Sequence, residues 1–228
     1  NADLYINVVK SLAGHHEGMS REELSKAVGL NGGTLTRVLT NLERCDFISR
    51  SRNFGYKTKD TIYRLVDFYT LFYYRFVMTD TSGDERWWAH NFESRHVSTW
   101  QGLTFELVCL MHIDCIKQKL GISGMATEIS SWRKAATDGQ KGGQIDLVIK
   151  RADRIIHLCE MKFSKSENRI TEAYEQLLRQ RMELFQSSTK TKFSLVITFV
   201  TTYGVADGLH HSLVHSEVTM DDLFGNRV

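Results

Sequence analysis

Two acidic residues and a lysine stand inside apolar, β-branched runs where charge is costly. Asp146 sits within Ile145-Asp146-Leu147-Val148-Ile149, and Glu160 closes Ile155-Ile156-His157-Leu158-Cys159-Glu160, followed by Met161 and Lys162. Strands buried on both faces read as nearly continuous apolar runs, and a charge inside one needs a compensating partner. The period of two along a strand puts Glu160 and Lys162 on one face. Carboxylate oxygens hold hard divalent cations, and an adjacent Lys can orient or deprotonate a water. That combination is the chemistry of metal-dependent phosphodiester hydrolysis. The same residues also suit a buried Asp–Lys or Glu–Lys ion pair with no catalysis.

The elements that must position these groups are legible on either side. Phe105, Val108, Cys109, Met111, His112 and Ile116 recur at three- and four-residue intervals, which predicts a helix from Thr99 to Lys117 carrying Glu106. A second helix is expected from about Asn168 to Gln186, then a buried strand over Phe193-Ser194-Leu195-Val196-Ile197-Thr198-Phe199-Val200. The hairpin between the two acidic strands has a parity condition. Residues directly opposite in a strand pair share a face, so a one-residue slip separates the two carboxylates. Asp146 lies opposite Glu160 if the loop is odd, most simply Ala152-Asp153-Arg154. A two-residue turn at Ala152-Asp153 pairs Asp146 with Cys159 instead, and a shared metal then requires a β-bulge near Asp146, which Gly142-Gly143 permits.

The order helix, strand, strand, strand, helix, strand, carrying Glu106, Asp146, Glu160 and Lys162, resembles the restriction-endonuclease-like PD-(D/E)XK superfamily. The resemblance implies an αβββαβ domain with a mixed central sheet. It also implies Mg²⁺ or Mn²⁺ held by Asp146, Glu160 and the Met161 carbonyl. Glu106 would complete the carboxylate shell or hold a metal-bound water, and Lys162 would orient the attacking water. Ile145 stands where the motif has Pro, a departure that removes no ligand. The family often adds a Gln or Tyr on the second helix, and Tyr174 and Gln176 stand there.

The N-terminal third has a different organisation. Leu4, Val8, Val9 and Leu12 form one helical stripe. Ser20 with Glu23 three residues on is a capping-box signature for a helix running to Val28 and stopping at Gly29. Asn31 or Gly32 opens a third helix with Leu35, Val38, Leu39 and Leu42 inward. Two short helices joined through a Gly-containing turn match a helix-turn-helix. Phe47-Ile48-Ser49-Arg50, a turn containing Gly55, and Thr61-Ile62-Tyr63-Arg64-Leu65 read as a β-hairpin wing. The stretch from Leu4 to Val66 resembles a winged-helix domain. Off the apolar stripe lie Thr34, Thr36, Arg37, Thr40, Asn41 and Arg44, the residue types that a helix in a major groove presents. Arg50, Arg52, Lys57 and Lys59 give the wing four positive charges with no acid between them, suited to phosphate. Winged helices also serve as protein-docking modules.

Between the two regions runs Tyr63-Arg64-Leu65-Val66-Asp67-Phe68-Tyr69-Thr70-Leu71-Phe72-Tyr73-Tyr74-Arg75-Phe76-Val77. Phe68, Phe72 and Phe76 recur at helical spacing, which reads as a packing helix rather than a base-stacking platform, with Trp87 and Trp88 docked on it. A winged helix (1–66), this connector (67–98) and a Gly-x-Ile-Asp…Glu-x-Lys domain (99–228) together resemble the C-terminal half of the archaeal-type AAA+ ATPases. That likeness implies an upstream ATPase domain in the same polypeptide and possible assembly into an oligomer. No P-loop motif for ATP occurs in this sequence. The chain opens on Asn1 directly before a helical pattern, and further chain is expected before it.

Composition excludes some classes. With 42% apolar and 25% charged residues the 228-residue chain reads as globular, and a net charge of +2 argues for nucleic acid only where it is locally concentrated. No apolar run approaches the roughly 20 residues of a membrane span. Cys45, Cys109, Cys115 and Cys159 lack metal-type spacing and suit buried thiols in a reducing cytoplasm. The expectation is a nucleic-acid-associated protein of α+β and α/β character, with DNA as partner and a metal-dependent nuclease site. The alternative is a non-catalytic nucleic-acid- or protein-binding module.

Overall fold

The computed structural model describes residues 2–55, 61–136 and 142–225. Lys57 and Lys59 lie outside these described residues. The chain divides into two compact units, Asn1–Ser98 and Thr99–Val228.

The first unit begins with α1 (Ala2–Ala13), β1 (Met19–Ser20), α2 (Arg21–Val28) and α3 (Gly32–Arg44). Ser20 Oγ accepts from the Glu23 amide (3.2 Å) and Glu23 Oε2 from the Ser20 amide (2.7 Å), closing the capping box. Gly29 ends α2 at φ 65°, a left-handed position that spares glycine a side-chain clash. Leu35, Val38, Leu39 and Leu42 of α3 are buried with Val8, Val9 and Leu12 of α1 and Leu24 of α2. Full burial of each such side chain contributes about 1.5–3 kcal/mol. The wing strands β2 (Ile48–Arg52) and β3 (Thr61–Leu65) pair antiparallel from Ile48↔Leu65 to Arg52↔Thr61, and β1 adds to the other edge of β3.

The aromatic stretch is not one regular helix. Asp67 caps α4 (Phe68–Phe72) through the Thr70 amide (2.7 Å), and Tyr73–Val77 then winds as a π-helical turn, closed by Met78 N–H donating to Tyr73 C=O (2.8 Å). The wider turn brings Phe76 to within 5.3 Å of Trp87 and 5.6 Å of Trp88 between ring centroids. Both tryptophans belong to α5 (Trp87–Asn91).

The second unit holds a five-stranded mixed sheet in the order β4 (Thr127–Lys134), β5 (Gly143–Arg151), β6 (Ile155–Lys162), β7 (Ser194–Thr201), β8 (Val214–Thr219). The first three strands are antiparallel, and β6–β7 and β7–β8 are parallel. On one face Phe105 and Cys109 of α6 (Arg95–Met111), Ile116 of α7 (Ile113–Lys119) and Leu223 of α9 (Met220–Phe224) cover Leu147, Ile149, Cys159 and Met161. On the other, Leu178 of α8 (Glu172–Thr189) packs on Ile197 and Phe199, while Phe185 meets Trp132 edge-on at 5.4 Å.

Two expected boundaries and one expected burial shift. The helix expected over Thr99–Lys117 breaks at His112, whose Nδ1 lies 2.8 Å from the Val108 carbonyl that its own backbone amide also uses. The helix expected from Asn168 starts at Glu172, because Thr171 caps it while Asn168 bridges to Val205. Cys45 is exposed rather than buried.

Candidate nucleic-acid interface and carboxylate site

On α3 the inward stripe fixes what the outer face carries. Thr34, Arg37 and Arg44 are exposed and Thr40 is half-buried. Arg37, Thr40 and Arg44, at spacings of three and four, form one line on the outer face. Two residues expected there are engaged within the unit. Asn41 Nδ2 donates to the Tyr5 hydroxyl (2.7 Å), and the Thr36 hydroxyl accepts from Arg21 Nη2 (2.8 Å) and donates to the Gly32 carbonyl (3.0 Å). Arg21, which no sequence signal marked, reaches from the start of α2 to clamp the start of α3, with a further bond to the Gly32 carbonyl (2.9 Å).

The wing is less uniformly positive than its sequence. Arg50 Nε pairs with Glu43 Oε1 of α3 at 2.7 Å, so the acid missing between the wing cations comes from the neighbouring helix. Among the described residues, Arg37 and Arg44 on α3 and Arg52 on β2 are exposed.

In the second unit the hairpin register meets its parity condition. Leu147 pairs with Cys159 and Lys150 with Ile156, leaving Ala152-Asp153-Arg154 as a three-residue loop with Arg154 left-handed at φ 70°. One step further along this register sets Asp146 opposite Glu160. A second device then intervenes. Ser130 pairs with Val148 but Trp132 with Ile145, so Asp146 and Leu147 together oppose Ser131 in a β-bulge. The consequence is visible in the packing. Ile145 lines a small void with Glu160, Leu178 and Met182 on the α8 side, whereas Leu147 packs with Phe105 and Cys109 on the α6 side. Residues two apart on a regular strand share a face, so the alternation is broken at Asp146. Gly143 also faces α8, its Cα hydrogen directed at Leu184 and Trp132, which sends Gln144 to the other side. Gln144 Nε2 donates to Asp146 Oδ1 (2.8 Å), and the Asp146 carboxylate goes with it, away from Glu160.

Glu160 is held among other groups. The Tyr174 hydroxyl donates to Oε1 (2.7 Å) and Arg181 Nη1 donates to Oε2. Burial, then the charge of Glu160 and this bond, raise the Tyr174 phenol well above its ordinary value, so it remains a donor. Lys162 Nζ lies over the Tyr174 ring at 5.0 Å from the centroid. Gln176 stays outside this group, bonded to Glu172 (3.4 Å). Glu106 is on α6, near enough to Cys109 that its charge adds to burial in raising that thiol. Met161 is a core side chain, in register with Val200 of β7.

The expected constellation is therefore split. Glu160, Lys162 and Tyr174 come together with Arg181, while Asp146 and Glu106 lie toward the other face. These residues do not fit a shared divalent cation: both Glu160 oxygens have donors, and the void beside it is about 10 Å³, room for one water at most. Among the described residues no group of three or more His, Cys, Asp or Glu is arranged to hold a metal. Arg181 was the residue missed, and only its position seven after Tyr174 on one helix face hinted at it.

Comparison with known proteins bears on the first unit. Residues 11–54 match the MarR family model. The match spans the end of α1, all of α2 and α3, and the first wing strand, and supports a winged-helix element there. No curated protein and no solved structure matches the chain. No helix among the described residues is long and apolar enough to cross a membrane.

Proposed function

We propose that this chain is a DNA-binding module whose winged helix docks α3 in the major groove, and that its second unit is a restriction-endonuclease-like domain serving as a non-catalytic binding element. The single observation that carries the first part is the line Arg37–Thr40–Arg44 on the outer face of α3 in a segment of MarR type. Arg is the commonest reader of guanine edges and, with Thr, also contacts phosphate. The second part is supported by the occupied Glu160 carboxylate and the bulge that turns Asp146 away from it. Placement of this chain after the ATPase domain of an AAA+ protein rests on the likeness of its connector and its Ile-Asp…Glu-x-Lys elements.

Fluorescence anisotropy of a labelled 25-base-pair duplex tests the first part. Thr40→Asp places a carboxylate against the phosphates and groove edge, and the expected result is at least a tenfold loss of affinity at unchanged stability. Equal binding by wild type and variant would remove α3 from the interface. Incubating the same duplex with Mn²⁺ tests the second part. Intact DNA is expected, and cleavage abolished by Asp146→Asn would establish a metal-dependent nuclease instead.

A further inference from the structure

Two loops of the second unit meet at the end of the sheet opposite the Glu160 carboxylate. The β5–β6 turn, Ala152-Asp153-Arg154, lies against the connection from α8 to β7, where the Ser194 amide donates to the Arg154 carbonyl (3.0 Å). Ile155 opens β6 and Glu160 follows five residues on, roughly 17 Å away at the rise of a strand. The junction is basic. Lys150, Arg151, Arg154, Lys190 and Lys192 meet there against Glu128 and Asp153, a surplus of three positive charges where the whole chain has +2. Both acids are already engaged, Glu128 with Lys150 (3.0 Å) and Asp153 with Arg151. Arg154, Lys190 and Lys192 are exposed, and no acid among the described residues pairs with them. The C-terminus of α8 favours a cation at Lys190, but the fold makes no such demand of Arg154 or Lys192.

Phe193 organises two of these cations. Lys150 Nζ lies 5.5 Å and Arg154 Cζ 5.9 Å from its ring centroid, close enough for attraction to the ring face. Side chains held in this way lose less freedom when an anion binds. The partner follows from what the junction presents. Arg and Lys on loops suit phosphate oxygens, which position a protein without reading sequence. Phe193 is half-buried, so the surface lacks the exposed aromatic anchor that dominates protein–protein contacts. Loops also lack the continuous apolar face with which a basic helix seats itself on lipid. We propose that this junction grips the phosphate backbone of duplex DNA through Arg154, Lys190 and Lys192. The proposal rests on the reading of the second unit as a binding element and gives that element its surface; it is independent of α3.

The test compares the full chain with its Arg154→Asn/Lys190→Asn/Lys192→Gln variant on a 25-base-pair duplex. Arg154 and Lys190 have φ of 70° and 52°, left-handed positions that Asn adopts readily, so the variant is expected to fold. Between 50 and 300 mM salt its slope of log K against log salt should be shallower by about 2.7, three phosphate contacts at about 0.9 each. Affinity at 50 mM salt should fall at least tenfold. Unchanged slope and affinity would overturn the proposal, as would failure of wild type to bind the duplex. Amide hydrogen exchange of wild type needs no variant. Protection by the duplex is expected at 150–154 and 190–194. Protection elsewhere in Thr99–Val228 but not there overturns this surface and keeps the unit as a binding element. No protection anywhere in that unit overturns both. Binding of wild type to phosphatidylserine vesicles, lost in the triple variant while duplex affinity stays unchanged, would assign the junction to lipid headgroups and overturn the DNA contact.

Discussion

Replacing Glu160 by Gln separates a structural carboxylate from a catalytic one. The substitution keeps shape and an acceptor for Tyr174 but removes the charge that faces Arg181. Removing one partner of a buried pair costs about 3–5 kcal/mol, and exposed pairs give about 0.2–1 kcal/mol. The Arg181 and Glu160 side chains keep 25% and 16% of their exposure, so solvent screens part of the interaction. In the Glu160→Gln variant the single amide oxygen stays with Tyr174, and the amide NH2 then faces the Arg181 guanidinium, donor against donor. A loss of about 1.5–3 kcal/mol follows, the range for a hydrogen bond to a charged group. Urea unfolding of wild type, Glu160→Gln, Arg181→Gln and the double variant gives the coupling by a double-mutant cycle, expected at about 1 kcal/mol or more. Single variants as stable as wild type, with no coupling, would refute the structural assignment of this carboxylate.

Two further predictions concern stability. His157 is buried; Arg151, a donor only, lies 3.2 Å from Nε2, so Nδ1 carries the proton and donates to Thr198 Oγ1 (2.8 Å). Burial first, then the charges of Arg151 and His215, push its pKa down to about 4. The folded state thus binds fewer protons than the unfolded one: stability is complete above pH about 6.5 and is lost as pH falls toward about 4, by about 3 kcal/mol in all. Urea unfolding from pH 7.5 to 4 should show this decline in wild type and a flatter profile in His157→Gln; equal slopes would disprove it. At Gly18, φ is 82° and an added Cβ would lie 2.5 Å from Ile62 Cγ2 and 2.7 Å from the Tyr63 carbonyl oxygen. Gly18→Ala should cost about 2 kcal/mol or more, against about 1 kcal/mol for Gly29→Ala, where nothing lies within 4 Å; equal midpoints for the two variants would contradict the close approach.

What the sequence revealed were features closed within a few residues. The Ser20–Glu23 box, the Gly29 stop and the α3 stripe are local, and the structure forms each of them. The three-residue loop of the β5–β6 hairpin also follows from local chemistry, since Arg154 need only adopt a left-handed turn position. Features set by distant partners were not legible. The bulge at Asp146 depends on how β4 pairs with β5, and the Glu43–Arg50 pair depends on how the wing folds beside α3. Asn41 looked outward by its distance from the apolar stripe, but Tyr5, 36 residues away, engages it. The π-helical turn was hidden because Phe68, Phe72 and Phe76 fit an ordinary helix equally well.

Binding of a 25-base-pair duplex measured from 50 to 300 mM salt, for wild type and the Arg37→Ala/Arg44→Ala variant, tests whether α3 holds DNA. Each phosphate contact contributes about 0.9 to the slope of log K against log salt. Loss of two such contacts should make the slope shallower by about 2 and lower affinity at 50 mM salt. The same slope and affinity in both proteins would contradict a DNA-binding role for this helix.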